Sequence, residues 1–192
     1  MGFESSFYLN TSLSRLPAAL TDDVAPPRWY RTEPTHGFMW CGVLGTSSGL
    51  HFDNAPNCNV QVLGRKHFIL FPPSQSRLMY QMPRTARCRF DPAVPDFDRF
   101  PRARNATAWH CTLTPGESLL IPVGWYHQVT VVSPWALNIN FFWERSFLEM
   151  VAAANMRQFA LKKGCYMLRR TLDPRLWAQW RRPGLRELAE TP

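Results

Sequence analysis

His51, Phe52 and Asp53 form a His-x-Asp triplet, and a further histidine closes the run Pro122-Val123-Gly124-Trp125-Tyr126-His127. Two imidazoles and one carboxylate are a donor set that holds a divalent iron on one face and leaves the opposite positions open. Open positions let the metal take a cosubstrate and then O2. The spacing of the triplet matters, because residues i and i+2 of an extended strand share a face. His51 and Asp53 can therefore point together at one ion, and His127 would complete the set from another strand. The competing reading is an ordinary hydrogen-bonded His51–Asp53 pair with His127 as a packed core histidine. His36, His67 and His110 lack comparable company, and His67 alternates with apolar residues as an exposed or packed strand residue does.

Two further features bear on the choice. Lys66 opens an otherwise apolar strand, Phe68-Ile69-Leu70-Phe71. A lysine directed into a core costs several kcal/mol unless an anion meets it, and a dicarboxylate cosubstrate is such an anion. A turn lysine pointing into solvent is the alternative, and strand position alone favours it. Asn57, Asn59, Asn138 and Asn140 also interrupt apolar strands. Buried amides need partners, which a polar ligand or a metal shell would supply; the alternative for Asn59 and Asn138 is an edge or solvent-facing position.

The elements that would position these residues read as all-β. Residues 6–13 suggest a first, aromatic strand, and the Pro- and Asp-rich stretch 14–37 a loop with one helical turn. Strands are expected at 38–44, 50–53, 58–63, 67–71, 107–113, 118–121, 127–133 and 136–143. Val62-Leu63-Gly64-Arg65-Lys66 suggests a tight hairpin, and Thr114-Pro115-Gly116-Glu117 a turn between two strands. The Pro- and Arg-rich segment 72–106 reads as an insertion between barrel strands. Many short strands without intervening helices favour a sandwich or barrel of the jelly-roll kind. After Trp143, Phe147, Met150, Val151, Ala154 and Leu161 fall on one helical face with Ser146 as N-cap and Gly164 as stop, and 175–181 suggests another helix. The expected division is residues 1–145 as the β domain and 146–192 as a helical appendage, packing on the barrel or mediating a homodimer.

Composition narrows the class. A chain of 192 residues with 45% hydrophobic content is ample for one globular core. No apolar run approaches the roughly 20 residues of a membrane span, and the N-terminus shows no signal-peptide pattern. Cys41, Cys58, Cys88, Cys111 and Cys165 form no C-x-x-C pair, which points to reduced thiols. The expected location is cytoplasmic, or nuclear in a eukaryote. The net charge of +8 permits RNA or acidic proteins as partners, and fits a merely well-solvated surface as well.

Several motifs in order carry a family resemblance: Gly49-Leu50-His51-Phe52-Asp53, Asn57, Gln61 through Pro73, Pro95 through Pro101, Pro115 through His127, and Asn138 through Trp143. Over roughly residues 6–145 the chain resembles the JmjC/cupin-like 2-oxoglutarate oxygenases. The likeness is to their small hydroxylase branch, which includes the asparaginyl hydroxylase of hypoxia-inducible factor and the tRNA wybutosine hydroxylase. The resemblance implies an all-β core, a double-stranded β-helix (jelly-roll/cupin), with C-terminal helices. It assigns His51, Asp53 and His127 to Fe(II). It gives Lys66, Tyr8 and Ser48 to the distal carboxylate of 2-oxoglutarate, and sets Asn57 and Asn140 near cosubstrate and metal. The extra Phe before Trp143 departs from the family's closing pattern, and the first strand lies nearer the start than is usual. The implied activity is a dioxygenase using O2 and 2-oxoglutarate to hydroxylate a C–H bond of a protein or peptide side chain, with succinate as product. Hydroxylation of a modified RNA base, N-methyl-lysine demethylation and a non-catalytic cupin-like binding module are the alternatives.

Overall fold

The structure is a computed structural model that describes residues 7–27, 33–83, 85–144, 147–152 and 155. Among the described residues nine strands form two facing antiparallel sheets. In chain order they are β1 (Tyr8–Ser12), β2 (His36–Val43), β3 (His51–Phe52), β4 (Asn57–Leu63), β5 (Lys66–Phe71), β6 (Trp109–Leu113), β7 (Ser118–Ile121), β8 (Tyr126–Val131) and β9 (Trp135–Phe142). One sheet has the order β1-β2-β9-β4-β7 and the other β3-β8-β5-β6. Short helical pieces fill the connections, among them α1 (Ala18–Thr21) and the 3-10 turns Pro73–Leu78 and Pro101–Asn105. A further helix, α2 (Phe147–Ala152), follows the last strand. The expected strands are all present, shifted by a residue or two at their ends.

This is the cupin jelly roll that the strand pattern led us to expect. Past β6 the chain alternates between sheets, with β7 and β9 in the larger one and β8 in the smaller. One expectation is corrected. Gly64 does take a left-handed φ of 66°, but β4 and β5 do not pair as a hairpin. β4 pairs with β7 and β9, and β5 with β6 and β8, so the turn is a corner that carries the chain from one sheet to the other. The local sequence of a corner and a hairpin is alike; pairing partners distant in the chain decide between them. Close packing at this corner also requires glycine, since a Cβ at position 64 would collide with the Trp135 carbonyl oxygen.

Alternation divides each strand between two environments. Phe68 and Leu70 of β5 meet Leu113 of β6 and Ile121 of β7 in an apolar cluster between the sheets. Ile69 and Phe71 point the other way, with Phe52 and Tyr126, into a second core closed by Met79, Phe90, Phe100 and Ala103. The insertion 72–106 is therefore a cover that buries the outer face of the smaller sheet. Gln128 fastens it by donating to Asp91 over 2.8 Å, and Tyr126 by donating to Gln81 over 2.9 Å. A third cluster, Cys58, Ile139, Phe141 and Trp143, lies on the larger sheet, with Leu13 and Val24 of the connection between β1 and β2 against it. Cys41, Cys58, Cys88 and Cys111 are free. The expected continuation of helix past Asn155, with Leu161, Gly164 and 175–181, lies outside the described residues, as does Cys165.

Candidate metal centre and its cavity

The short strand β3 supplies the site. It pairs with β8 so that His51 lies directly opposite His127, and their rings approach to 4.3 Å between centroids. Asp53, one residue past β3, turns its carboxylate to within 3.6 Å of His127 Nε2. One ligand atom from each of His51, Asp53 and His127 lies within 4.8 Å of the others, and this is the one such cluster of three or more among the described residues.

The hydrogen bonds test whether these donors fit a metal. His51 Nδ1 is 2.9 Å from the Gly49 carbonyl and His127 Nδ1 is 3.1 Å from the Trp125 carbonyl. A carbonyl only accepts, so each Nδ1 carries the proton and each Nε2 keeps a bare lone pair, the tautomer a metal ligand needs. Burial first, and His127 second, hold the His51 pKa down at about 4 against the pull of Asp53. The ring is thus neutral at neutral pH. Asn57 donates to Asp53 Oδ2 over 2.8 Å and aims the carboxylate. The donor set and its supports suit a divalent metal with three protein ligands and open positions.

Behind the cluster a cavity of about 360 Å³ extends between the sheets. Lys66 lies on its wall, only 1% exposed, which overturns the solvent-facing alternative. Its ammonium donates to Asn138 Oδ1 and, at 3.4 Å, to the Trp40 carbonyl, and sits 5.8 Å from the centroid of the Tyr8 ring. Burial pushes the Lys66 pKa down to about 8, and burial raises that of Tyr8 to about 12. Gly42 makes room for the tyrosine, since a Cβ there would stand 3.0 Å from its ring. Ser48 reaches the cavity wall as well, but its hydroxyl already donates to the Gly49 carbonyl and accepts from the Val129 N–H.

The four asparagines form one buried chain. Asn57 bonds Asp53, Asn59 bonds Asn57 over 3.4 Å, and Asn138 bonds Asn59 over 3.2 Å as well as Asn140. Asn59 and Asn138 are 3% and 2% exposed, so neither is the edge or solvent-facing residue that the sequence left open. The chain links the metal carboxylate to the buried lysine. Asn57 acts on the carboxylate itself, and Asn140 lines the same cavity, where it accepts from Asn138.

Among the cavity residues that sequence reasoning missed are Trp40, Asn10 and Arg87. Trp40 lines the cavity with a buried indole N–H that has no acceptor among the described residues. Asn10, on β1, lines it too. Arg87 comes in from the insertion and bridges His51. Alternation along β1 and β2 could have found the first two; nothing local marks Arg87. Conversely, His67 and His110, read as unaccompanied, lie 3.2 Å apart between ring nitrogens. They stand on the far face of β5 and β6, away from the cavity, while His36 stacks on Phe38.

Known proteins resemble part of this chain. HSPB1-associated protein 1 of Homo sapiens is 35% identical over 109 residues, covering 53% of this chain and 22% of the relative. Jumonji C domain-containing protein 5 of Drosophila melanogaster is 31% identical over 137 residues, covering 66% and 33%. tRNA wybutosine-synthesizing protein 5 of Gallus gallus is 29% identical over 126 residues, covering 65% and 39%. The matched stretch spans well under half the length of each of these relatives. The cupin-like domain model matches residues 4–149, which contain every strand and all three cluster residues. The chain belongs to the cupin-like domain family.

Proposed function

We propose that the protein is an Fe(II)- and 2-oxoglutarate-dependent oxygenase that hydroxylates a C–H bond of a protein or peptide side chain. The observation that carries this reading is the shared cavity: a His-Asp-His cluster with both Nδ1 atoms tied to carbonyls at one end, and a buried lysine without a carboxylate partner among the described residues. Iron held by His51, Asp53 and His127 would supply the O2 chemistry that couples conversion of 2-oxoglutarate to succinate and CO2 with oxygen insertion into the substrate.

The chain's own groups do the rest. Lys66 offers a fixed positive charge to the distal carboxylate, and charge-assisted hydrogen bonds of this kind are short and strong. Tyr8 and the unpartnered Trp40 N–H stand beside it as further donors. Asn57 holds the Asp53 carboxylate in one orientation, and the Gly49 and Trp125 carbonyls hold the two imidazoles. Phe68, Leu70, Leu113 and Ile121 pack between the sheets and would limit water on that side. The protein thus contributes geometry, charge and dryness, and the metal the reactivity.

Anaerobic loading with Fe(II) and 2-oxoglutarate, followed by O2 in the presence of peptide and RNA panels, tests the proposal. Succinate formation with a gain of one oxygen on a peptide is the expected result. Oxygen gain on RNA alone would assign the substrate to a nucleic acid, and no iron-dependent succinate under any condition would leave a binding module.

A further inference from the structure

Arg87 stands in the cavity but is no part of the cluster or of the lysine end. The segment 86–88 docks along β3: the Phe52 N–H donates to the Ala86 carbonyl over 3.2 Å, and the Cys88 N–H to the Leu50 carbonyl over 2.9 Å. Residue 87 thereby lies directly opposite His51, which faces His127 on its other side. Directly opposed residues of antiparallel strands put their side chains on one face, about 5 Å apart. Arg87, His51 and His127 therefore form a row along the cavity wall.

The two cations of the cavity differ in depth. Lys66 is buried, whereas Arg87 is exposed. Arg87 gives one N–H to the Ser48 carbonyl at 3.3 Å, and among the described residues no carboxylate pairs with it. Asp53 is the sole carboxylate among the residues lining the cavity. With a divalent metal bound, a dicarboxylate balances the metal, Asp53 and Lys66 together. Arg87 then remains as one unmatched positive charge at the rim, beside the metal.

We infer that Arg87 is the substrate-specificity residue of this cavity, binding the side-chain carboxylate of an aspartate or glutamate in a peptide substrate. The inference rests on the oxygenase reading above and names the substrate class for it. A guanidinium presents a planar fork that matches a carboxylate. RNA affinity, by contrast, grows with the number of phosphates neutralised, and Arg87 is the single exposed cation among the described lining residues. Its position one strand from His51 sets the acidic residue, or its immediate neighbour, at the metal.

The test uses the full chain loaded with Mn(II) and saturating 2-oxoglutarate without O2. Binding of N-acetyl-aspartate and N-acetyl-glutamate amides is measured by calorimetry against their asparagine and glutamine counterparts and against adenosine monophosphate. The acidic probes should bind about tenfold tighter than the amides, a ratio ordinary for one charge-assisted contact. Arg87→Gln should bring that ratio to about one, and Arg87→Lys should restore part of it. Melting temperature and 2-oxoglutarate affinity should stay unchanged in both variants. Equal binding of acid and amide by the unaltered protein overturns the inference, as does tighter binding of the monophosphate. So does a loss of 2-oxoglutarate affinity in Arg87→Gln matching that in Lys66→Met, which would make Arg87 a cosubstrate residue. If the Mn(II)-loaded chain fails to bind 2-oxoglutarate at all, the oxygenase reading falls first and the inference with it.

Discussion

Lys66, Phe68 and Leu70 turn inward from β5, while Ile69 and Phe71, their immediate neighbours in the chain, turn outward. The two faces of this one strand belong to regions of opposite character. Inside, the cavity gathers three side chains that could hold a metal, a lysine and a chain of four buried amides. Outside, the insertion 72–106 closes a core of Phe52, Ile69, Phe71, Met79, Phe90 and Phe100 that is almost wholly apolar. Burying polar groups contributes little net stability even when every one is bonded, whereas burying a phenylalanine contributes a few kcal/mol. The contrast teaches that the insertion stabilises the sheet that carries His51, His127 and Lys66 from its outer face, away from the cavity. The Pro- and Arg-rich insertion is mostly a cover on hydrophobic residues, and among its described residues Arg87 is the one that lines the cavity.

The sharpest way to break this division is to damage each side separately. Asp53→Ala should abolish succinate formation while leaving circular dichroism and the melting transition near those of the unaltered chain. Full turnover in that variant would sink the metal assignment. Phe71→Ala should do the reverse. It should cost about 3–5 kcal/mol in denaturant unfolding, as large-to-small core substitutions do, while the folded fraction still binds metal. A loss below about 1 kcal/mol would mean that the outer core is not a source of stability.

Asn57→Ala probes the junction between metal and amide chain. Freed from its donor, the Asp53 carboxylate loses its fixed orientation, and metal affinity should fall about 10–100-fold, the usual effect of removing a support behind a ligand. Competition titration with a metal indicator reads this directly, and unchanged affinity would show that the backbone alone orients Asp53.

The smallest effect concerns pH. Burial lowers the Lys66 pKa from 10.5 to about 8. Between those values the unfolded chain holds a proton that the folded chain has released, so stability rises with pH in that window. Without 2-oxoglutarate, the Lys66 contribution should grow from about pH 8 toward 10.5, read as the difference in stability between the unaltered chain and Lys66→Met. The difference is needed because the Cys58 and Cys88 thiols, raised by burial to about 11 and about 12, pull the total the other way above about pH 9. Affinity for 2-oxoglutarate should move oppositely, falling as pH rises through about 8. An affinity flat across that range would separate Lys66 from the cosubstrate. Tyr8, Trp40 and Asn138 face the ammonium, and the Tyr8 hydroxyl, held up at about 12, stays protonated throughout.

Much of this was legible in advance for a definite reason. Alternation with a period of two is a local property, so the strands and the shared face of His51 and Asp53 follow from the chain itself. His127 and Lys66 were identifiable because the motifs around them are specific, although only the structure shows Lys66 buried. Asn59 and Asn138 could not be told from solvent-facing residues, because the direction of a face depends on which sheet lies across from it. The same limit made the Gly64 corner look like a hairpin.

The sequence by itself determined the element types and the family and singled out the candidate donor residues, since each rests on neighbours a few positions apart or on motifs in order. Tertiary structure alone decided which strands pair, that four amides join the metal carboxylate to Lys66, that 72–106 packs as a cover, and that Arg87 stands beside His51. The physical reason is that strand pairing and side-chain burial depend on contacts between segments far apart in the chain. No local pattern encodes which of the compatible partners packing selects.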